Sequence, residues 1–169
     1  NFIKKLNSNY IYNKLDIIII DGGSNDGSIN IDFFKNMNIN SLLVMTSQGG
    51  VGSQLRIAYS FAMMLKYDGV ITIDGNDKDD PTYIPNFIQL LNSGYDFVQS
   101  SRFISGGNHS NTPLIRYLAI RFIHAPLLSI ASGFKWTDST QGFRAYSKSL
   151  ILSEKIGIFR SDFISYESH

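Results

Sequence analysis

The chain has 169 residues, of which 43% are hydrophobic and 17% are charged, and its formal net charge at pH 7 is +1. This balance predicts a single globular domain over residues 1–169, and it leaves no overall field to attract nucleic acid, so we expect no nucleic-acid partner. The absence of cysteine excludes disulfides, thiolate metal sites and cysteine nucleophiles.

Short apolar strands alternate with amphipathic helices along the chain. Apolar runs predict strands at 16–20, 41–46, 69–73 and 96–100. Helical spacing predicts a helix ending near Leu6, a short helix at 28–37, and two helices whose apolar stripes are Leu55, Ala58, Ala62 and Leu65, and then Ile84, Phe87, Ile88 and Leu91. This alternation is typical of an α/β fold with a mostly parallel sheet and helices on both faces.

Two acidic turns follow two of the predicted strands. DGGSNDGS occupies positions 21–28, and DGNDKDDP occupies positions 74–81. Loops beyond the carboxyl ends of parallel strands form the ligand crevice of an open α/β sheet, so these turns predict one polar site for a cation, a sugar or phosphates. An ordinary turn is the alternative for either motif alone, and Asp80 followed by Pro81 is typical of a helix N-cap.

Five motifs in order and spacing give a family resemblance. They are DGGSNDGS, GGVGSQLR, a strand ending in DGN, SSRF and TQGFRAYS, spread over about positions 15–150. Together they resemble family 2 glycosyltransferases, most nearly the branch of dolichyl-phosphate mannose synthases and bacterial polyprenyl-phosphate sugar transferases. The resemblance implies a Rossmann-like GT-A nucleotide-diphospho-sugar transferase fold. It also implies transfer of a hexosyl unit from a nucleoside-diphosphate sugar to a lipid-phosphate or saccharide acceptor.

The resemblance places the nucleoside of the donor beside the first acidic turn. Asp21 stands where the family contacts the base or ribose, and Gly23 and Ser24 belong to the same turn. Gly22 departs from members that carry a second aspartate there. Arg56 is expected to reach the nucleotide, with an ordinary solvated helix position as the alternative.

The second acidic turn corresponds to the DxD element of the family. At Asp74, Gly75 and Asn76, a manganese or magnesium ion would bridge the donor diphosphate, with Asp74 and Asn76 as metal ligands. Because the amide of Asn76 supplies no charge, we expect weaker metal binding than in relatives with two acids, unless Asp77 or Asp79 contributes. Lys78 is expected to pair directly with phosphate.

Three further residues are expected on the catalytic side with Asp74. Arg102 matches an arginine that the family places near phosphates, with a structural ion pair as the alternative. Arg144 lies on the segment with which relatives line the acceptor side. Asp138 matches an acidic position that would orient the sugar, serve as a base or cap a turn.

The most apolar long segment is PLIRYLAIRFIHAPLLSIAS at 113–132. Arg116, Arg121 and His124 interrupt it, and Pro126 is expected to break or kink a helix, so we predict that it does not span a bilayer. An amphipathic helix at a membrane surface would suit a lipid-phosphate acceptor, and packing against the sheet is the alternative. We therefore expect a cytoplasmic protein that contacts the cytoplasmic face of the membrane peripherally.

The sequence leaves other functions open. Relatives begin with an apolar strand and a Pro-x-x-Asn-Glu turn that this chain lacks, so we expect it to be a fragment of a larger enzyme. Gly22 and Asn76 also fit a degenerate, non-catalytic nucleotide-binding or regulatory module of the same fold. A nucleotidyltransferase shares the Rossmann-like sheet, but its signature loop would follow the first strand. A purely structural fragment would bind no ligand.

Overall fold

The computed structural model describes residues 15–27, 29–37, 39–46, 50–104, 107 and 113–160. Within these ranges the strands are β1 (Ile18–Asp21), β2 (Ser41–Val44), β3 (Gly69–Thr72), β4 (Phe97–Gln99) and β5 (Arg144–Ser147). The helices are α1 (Ile31–Asn36), α2 (Val51–Met64), α3 (Ile84–Asn92), α4 (Leu114–Ala119), α5 (Ala125–Ser132) and α6 (Lys148–Ile151), with a 3-10 turn at Pro81–Tyr83 and a π-helical turn at Ile120–His124. The four predicted strands and three of the predicted helices are confirmed; three of the strands and α1 are shorter than predicted, and β1 starts later and ends one residue later than predicted. The helix predicted to end near Leu6 lies outside the described residues.

The described strands form two sheets with different pairing. Strands β1 and β2 are parallel, with Asp21 opposite Val44 at their carboxyl ends. In the other sheet β5 lies between β3 and β4 and is antiparallel to both. The expectation of a mostly parallel sheet is therefore not confirmed for the described strands. The physical reason is that the chain passes through α4 and α5 before it forms β5. It then inserts between β3 and β4 in the direction opposite to both strands.

Helices cover both faces of the sheet around β5, as predicted. The ring of Tyr146 meets Tyr59 of α2 edge to face, with ring centroids 5.3 Å apart. Phe143, just before the strand, stacks on Phe87 of α3 at 4.2 Å, and Ala145 is completely buried. Because successive strand residues point to opposite faces, α2 and α3 lie on opposite sides of β5.

The start of α3 is fixed next to the second acidic turn. The side chain of Asp80 accepts a hydrogen bond from the backbone N–H of Thr82, and Pro81 occupies the first turn. Both features satisfy the requirements of a helix start, and the predicted N-cap is confirmed. The acidic loop is thus attached to a helix whose Ile84 and Phe87 belong to the core.

Helices α4 and α5 and the π turn between them form one continuous helix, Leu114–Ser132, called the apolar helix below. The helix does not break at Pro126. Instead the π turn ends two residues before it, where a wider turn accommodates the missing proline N–H. The helix has 19 residues, a mean hydropathy of 1.4 and only 11% of its residues buried. By length and composition it could cross a membrane, although one such helix is weak evidence.

The exposure of the apolar helix contradicts the alternative that it packs against the sheet. Its residues Ile115, Phe122 and Ile130 are 84%, 68% and 81% exposed. The buried contacts come from a few positions such as Ile120 and Ala125. Most of its apolar surface therefore has no cover among the described residues.

The stacked Phe87–Phe143 pair yields a first prediction. Phe87→Ala should lower the free energy of unfolding by about 3–5 kcal/mol, because it leaves a cavity beside β5. Phe122→Ala removes the same atoms from an exposed position and should change it by less than about 0.5 kcal/mol. Urea unfolding followed by circular dichroism compares the two variants, and equal effects would show that the stack is not the centre of the core.

Candidate active site at the edge of the sheet

The two acidic turns follow β1 and β3, and both of these strands contact helix α2. Helix α2 starts beside the first turn, since a Cβ added to Gly22 would come within 2.5 Å of Gln54 Nε2. The chain runs away from the first turn along α2 and returns along β3. We therefore expect Asp74, two residues beyond β3, to lie near the end of β1 at Asp21.

Asp21 is bound within its own turn. Its Oδ2 accepts from the backbone N–H groups of Gly23 at 2.7 Å and Ser24 at 2.6 Å, and its Oδ1 accepts from the Ser24 hydroxyl at 2.6 Å. The Ser24 hydroxyl, followed by these backbone donors, holds the pKa of Asp21 below its usual value. The carboxylate is thus charged and oriented, and with about four acceptor positions it keeps capacity for a ligand. Asp21 therefore stabilises its own turn, and its contact with the nucleoside stays a prediction.

Asp74 is exposed and lies close to the backbone at Gly142. A Cβ added to Gly142 would lie 3.2 Å from both carboxylate oxygens of Asp74, so a glycine there lets the two segments approach closely. Asn76 donates its amide to Asp74 at 3.5 Å, and its Oδ1 accepts from the backbone N–H of Lys78 at 3.1 Å. Gly75 is different, because a Cβ added there would meet open space.

Asp79 is a site residue to which the motif gave only a secondary role. It is 8% exposed and accepts a hydrogen bond from Gln141 Nε2. Burial first, and then the negative charge of Asp74, raise the pKa of Asp79, while the charge of Arg102 is the largest of the effects that lower it. The acidic turn and the arginine after β4 therefore lie within electrostatic reach of each other. No signal in the local sequence could have revealed the contact between Asp79 and Gln141, because the two residues are 62 positions apart.

The motif predicted Asp74 and Asn76 as ligands of a divalent cation, and this metal site stays a prediction. Among the described residues, no group of three His, Cys, Asp or Glu side chains could hold a metal ion. Mg²⁺ is commonly bound through one or two carboxylates together with substrate phosphates, and exposed Asp74 suits that role. The side-chain oxygen of Asn76 accepts from the backbone N–H of Lys78, and its weak binding of a metal stays a prediction.

Arg102 forms a buried ion pair with Asp138. Its Nε donates to Asp138 Oδ2 at 2.8 Å and its Nη2 to Oδ1 at 3.1 Å, and Nη2 also donates to the Thr140 hydroxyl at 2.6 Å. The side chain of Asp138 is 0% exposed, whereas that of Arg102 is 19% exposed. The ion pair considered as the alternative for Arg102 is therefore present, and the guanidinium still reaches the surface.

That surface is a cavity of about 130 Å³, called the arginine cavity below. One wall comes from the loop after β4 and the other from the apolar helix; the lining residues are Arg102, Phe103, Ile104, Gly107, Tyr117 and Arg121. Phe103 packs against the ring of Tyr117 with centroids 5.4 Å apart, and the Arg102 guanidinium lies 5.3 Å from the Phe103 ring. Two guanidinium groups at one cavity favour a phosphate or carboxylate ligand.

The other two predicted arginines make backbone contacts. Arg144 lies opposite Thr72 of β3, and its Nε donates to the Gln141 carbonyl at 2.8 Å. Arg56 donates to the carbonyl of Arg160 at 3.4 Å, so its described contact is with the chain itself. A nucleotide contact by Arg56 stays a prediction.

Residues Asp138–Gly142, called the 138–142 loop, join the parts of the site. Asp138 binds Arg102, Gln141 binds Asp79, and Gly142 lies against Asp74. The loop thus contacts the acidic side and the arginine side together.

Comparison with known proteins agrees with this arrangement. A model of glycosyl transferase family 2 matches residues 1–153. The chain belongs to this family. The resemblance seen in the motifs is confirmed, and family membership implies the Rossmann-like GT-A α/β fold.

Two curated relatives lie in the branch that the motifs indicated. The dolichyl-phosphate hexose transferase of Haloferax volcanii is 38% identical over 82 residues, which cover 48% of this chain and 35% of that protein. The polyprenol monophosphomannose synthase of Mycolicibacterium smegmatis is 24% identical over 156 residues, which cover 90% of this chain and 58% of that protein. The chain thus spans about a third and somewhat over half of these relatives.

Gly142→Ala tests the close approach to Asp74. The added methyl group should displace the carboxylate by a few tenths of an ångström and weaken binding of a nucleoside diphosphate with Mn²⁺ about tenfold. Titration calorimetry with guanosine and uridine diphosphates measures this loss. In the Asp74→Ala background the same substitution should have no further effect, and additive losses would mean that Gly142 acts on another group.

Proposed function

We propose that the chain carries the catalytic site of a hexosyltransferase that uses a nucleoside-diphosphate sugar as donor and a polyprenyl phosphate as acceptor. Family membership and the names of the two relatives support this proposal. The observation that carries it is the arginine cavity, because Arg102 of the loop after β4 and Arg121 of the exposed apolar helix both line it. A phosphate attached to a lipid needs a cationic pocket beside an apolar surface.

The donor would bind along the edge formed by the two acidic turns. Asp74 would hold a manganese or magnesium ion together with the diphosphate oxygens, with Asn76 as a weak second ligand. Such a cation neutralises the diphosphate and stabilises the charge that develops as it departs. Lys78 adds a positive charge on the same loop, and Asp21 would hold the nucleoside through its remaining acceptor positions.

In the proposed reaction an oxygen of the acceptor phosphate attacks the anomeric carbon of the sugar. A carbon–oxygen bond to the acceptor forms while the bond from the anomeric carbon to the diphosphate oxygen breaks, and its electron pair leaves with the nucleoside diphosphate. The attacking oxygen is already anionic, so no proton has to be removed. Arg102, Arg121 and Arg144 supply positive charge on the acceptor side.

The surroundings of Asp138 favour this acceptor over a saccharide hydroxyl. A hydroxyl acceptor would need a general base, and Asp138 is the base candidate that the sequence offers. Its side chain is 0% exposed and both its oxygens accept from Arg102. A group so enclosed is poorly placed to take a proton from a substrate, whereas a phosphate acceptor makes no such demand.

Asn76 supports a second candidate, a metal-independent nucleotide-binding module. Its oxygen is engaged by the Lys78 N–H, and the described residues contain no three-carboxylate or histidine group for a metal. Nucleoside diphosphate that binds equally well with and without Mn²⁺, together with absent transfer, would favour this module.

The transfer reaction is tested with Asp74→Ala. The assay measures transfer from radiolabelled GDP-mannose and UDP-glucose to a short-chain polyprenyl phosphate in detergent with Mn²⁺. Loss of the metal-binding carboxylate should lower kcat/KM by at least about 100-fold. Asp68→Ala is the matched control, since Asp68 is exposed and precedes β3 at its opposite end. Undiminished transfer by Asp74→Ala would remove Asp74 from the mechanism.

Membrane contact is tested by flotation with liposomes. A triple Ile115→Ser, Phe122→Ser and Ile130→Ser variant should lose flotation, because it removes three highly exposed apolar groups of the apolar helix. A matched variant with serine at Met64, Tyr83 and Tyr95 removes exposed apolar groups elsewhere and should float like the unchanged protein. No flotation of the unchanged protein, with or without anionic lipid, would contradict the proposed contact. Carbonate extraction then separates a peripheral helix from a spanning one.

A further inference from the structure

We infer that Asp138 is a positioning residue that holds the Arg102 guanidinium toward the arginine cavity, rather than a base or a ligand of the sugar. The inference rests on the proposed function, because it assigns Arg102 to the acceptor phosphate. It concerns how a phosphate-binding arginine is kept in one orientation before the substrate arrives.

The contacts of Arg102 fix its plane in two directions. The fork of Nε and Nη2 meets both oxygens of Asp138, and Nη2 also meets the Thr140 hydroxyl. The backbone N–H of Arg102 donates to Asp138 Oδ2 at 3.3 Å, so the carboxylate binds both the backbone and the side chain of the same residue. An arginine held by a two-point fork loses most of its rotational freedom.

Asp138 is itself held by the end of β4. The Gln99 side chain donates to the Asp138 carbonyl at 2.8 Å, and the Thr137 hydroxyl donates to the Ser101 hydroxyl at 2.7 Å. The Thr140 N–H donates to Asp138 Oδ1 at 3.0 Å. The loop and the strand end are thus joined at several points, and the carboxylate has no freedom to follow a substrate.

The charge state of Asp138 agrees with this role. Burial alone would raise the pKa of Asp138, but the hydrogen bonds and charge of Arg102 and the N–H of Thr140 outweigh it and hold the pKa below its usual value. The carboxylate therefore stays ionised at neutral pH. A base that must accept a proton near neutral pH needs the opposite shift.

The 138–142 loop also explains how the arginine side and the donor side keep their separation. Gln141 binds Asp79 and the backbone at Gly142 supports Asp74, three and four positions after Asp138. A short loop that contacts all three groups fixes the distance between the donor diphosphate and the acceptor phosphate. Positioning of this kind contributes to rate because misplacement by about 1 Å can cost about 100-fold.

The test compares Asp138→Asn in two backgrounds. In the otherwise unchanged protein, Asp138→Asn should lower kcat/KM for the polyprenyl phosphate about 10- to 100-fold, mainly through KM for the acceptor, with KM for the donor little changed. In an Arg102→Ala background the same substitution should change kcat/KM by less than about twofold, because its target is gone. Equal losses in both backgrounds would overturn the inference.

A pH profile separates a positioning residue from a base. Because the pKa of Asp138 lies below its usual value, its protonation should not limit transfer in the unchanged protein above about pH 5. An acid limb near neutral pH that Asp138→Asn removes, with or without Arg102, would show that Asp138 takes a proton and would overturn the inference.

A second readout does not depend on turnover. The Nε–H of Arg102, assigned by its loss in Arg102→Lys, should give a nitrogen-15 NMR signal that exchanges slowly with water in the unchanged protein and rapidly in Asp138→Asn. A signal that stays protected in Asp138→Asn would overturn the inference. If the unchanged protein transfers no sugar, the proposed function fails, while this measurement still decides whether Asp138 holds Arg102.

Two further variants control for stability. Asp96→Asn removes a carboxylate that accepts from the Ser147 and Ser149 hydroxyls at the other end of β4, and it should leave acceptor KM unchanged.

If Asp138→Asn does not fold, Thr140→Val removes one contact of Arg102 without removing a buried charge. It should raise acceptor KM several-fold in the same direction, and an unchanged KM would overturn the inference.

Discussion

The insertion of β5 between β3 and β4 is the constraint on which the site depends. Ala145 at its centre is completely buried, and the neighbouring positions meet Tyr59 on one face and Phe87 on the other. A strand packed on both faces and paired on both edges has no freedom to shift, because a one-residue slip would turn every side chain to the wrong face. The 138–142 loop leads directly into this strand, so its position at the edge is fixed by the core.

The negative charges gathered in the second acidic turn are tolerated because Asp74 and Asp79 lie in different environments and Arg102 lies within electrostatic reach. Asp74 is exposed to water, whereas Asp79 is buried, and this burial raises the pKa of Asp79. Arg102 offsets part of that repulsion while it is itself bound to Asp138. The exposed carboxylate of Asp74 and the guanidinium of Arg102 thus lie on different sides of the 138–142 loop's contacts.

The sequence predicted those features that are local and missed those that are not. The apolar runs identified four strands, and Asp80 with Pro81 identified the start of α3. Strand β5 was not among the predicted strands, because its residues RAYS contain no β-branched run. The residues of β5 do not encode its antiparallel direction. That direction depends on where the chain re-enters the sheet after α4 and α5.

The same distinction applies to the site. Asp74, Arg102 and Asp138 were predicted as site residues from motifs that contain or adjoin them. The parts played by Gln141 and Gly142 depend on partners more than 60 positions away, which no motif spacing encodes. Asp79 stands between two other acidic turn residues, and only the fold shows that it is the buried one.

The exposed apolar helix gains its significance from the cavity at its side. Exposed apolar surface on a soluble domain carries a cost, which is normally removed by packing against another element. Here Tyr117 and Arg121 face the arginine cavity while Ile115, Phe122 and Ile130 face outward. A ligand with a charged head and an apolar tail would satisfy both surfaces of one helix at once. The proposed acceptor, a lipid-linked phosphate, has this combination of a charged head and an apolar tail.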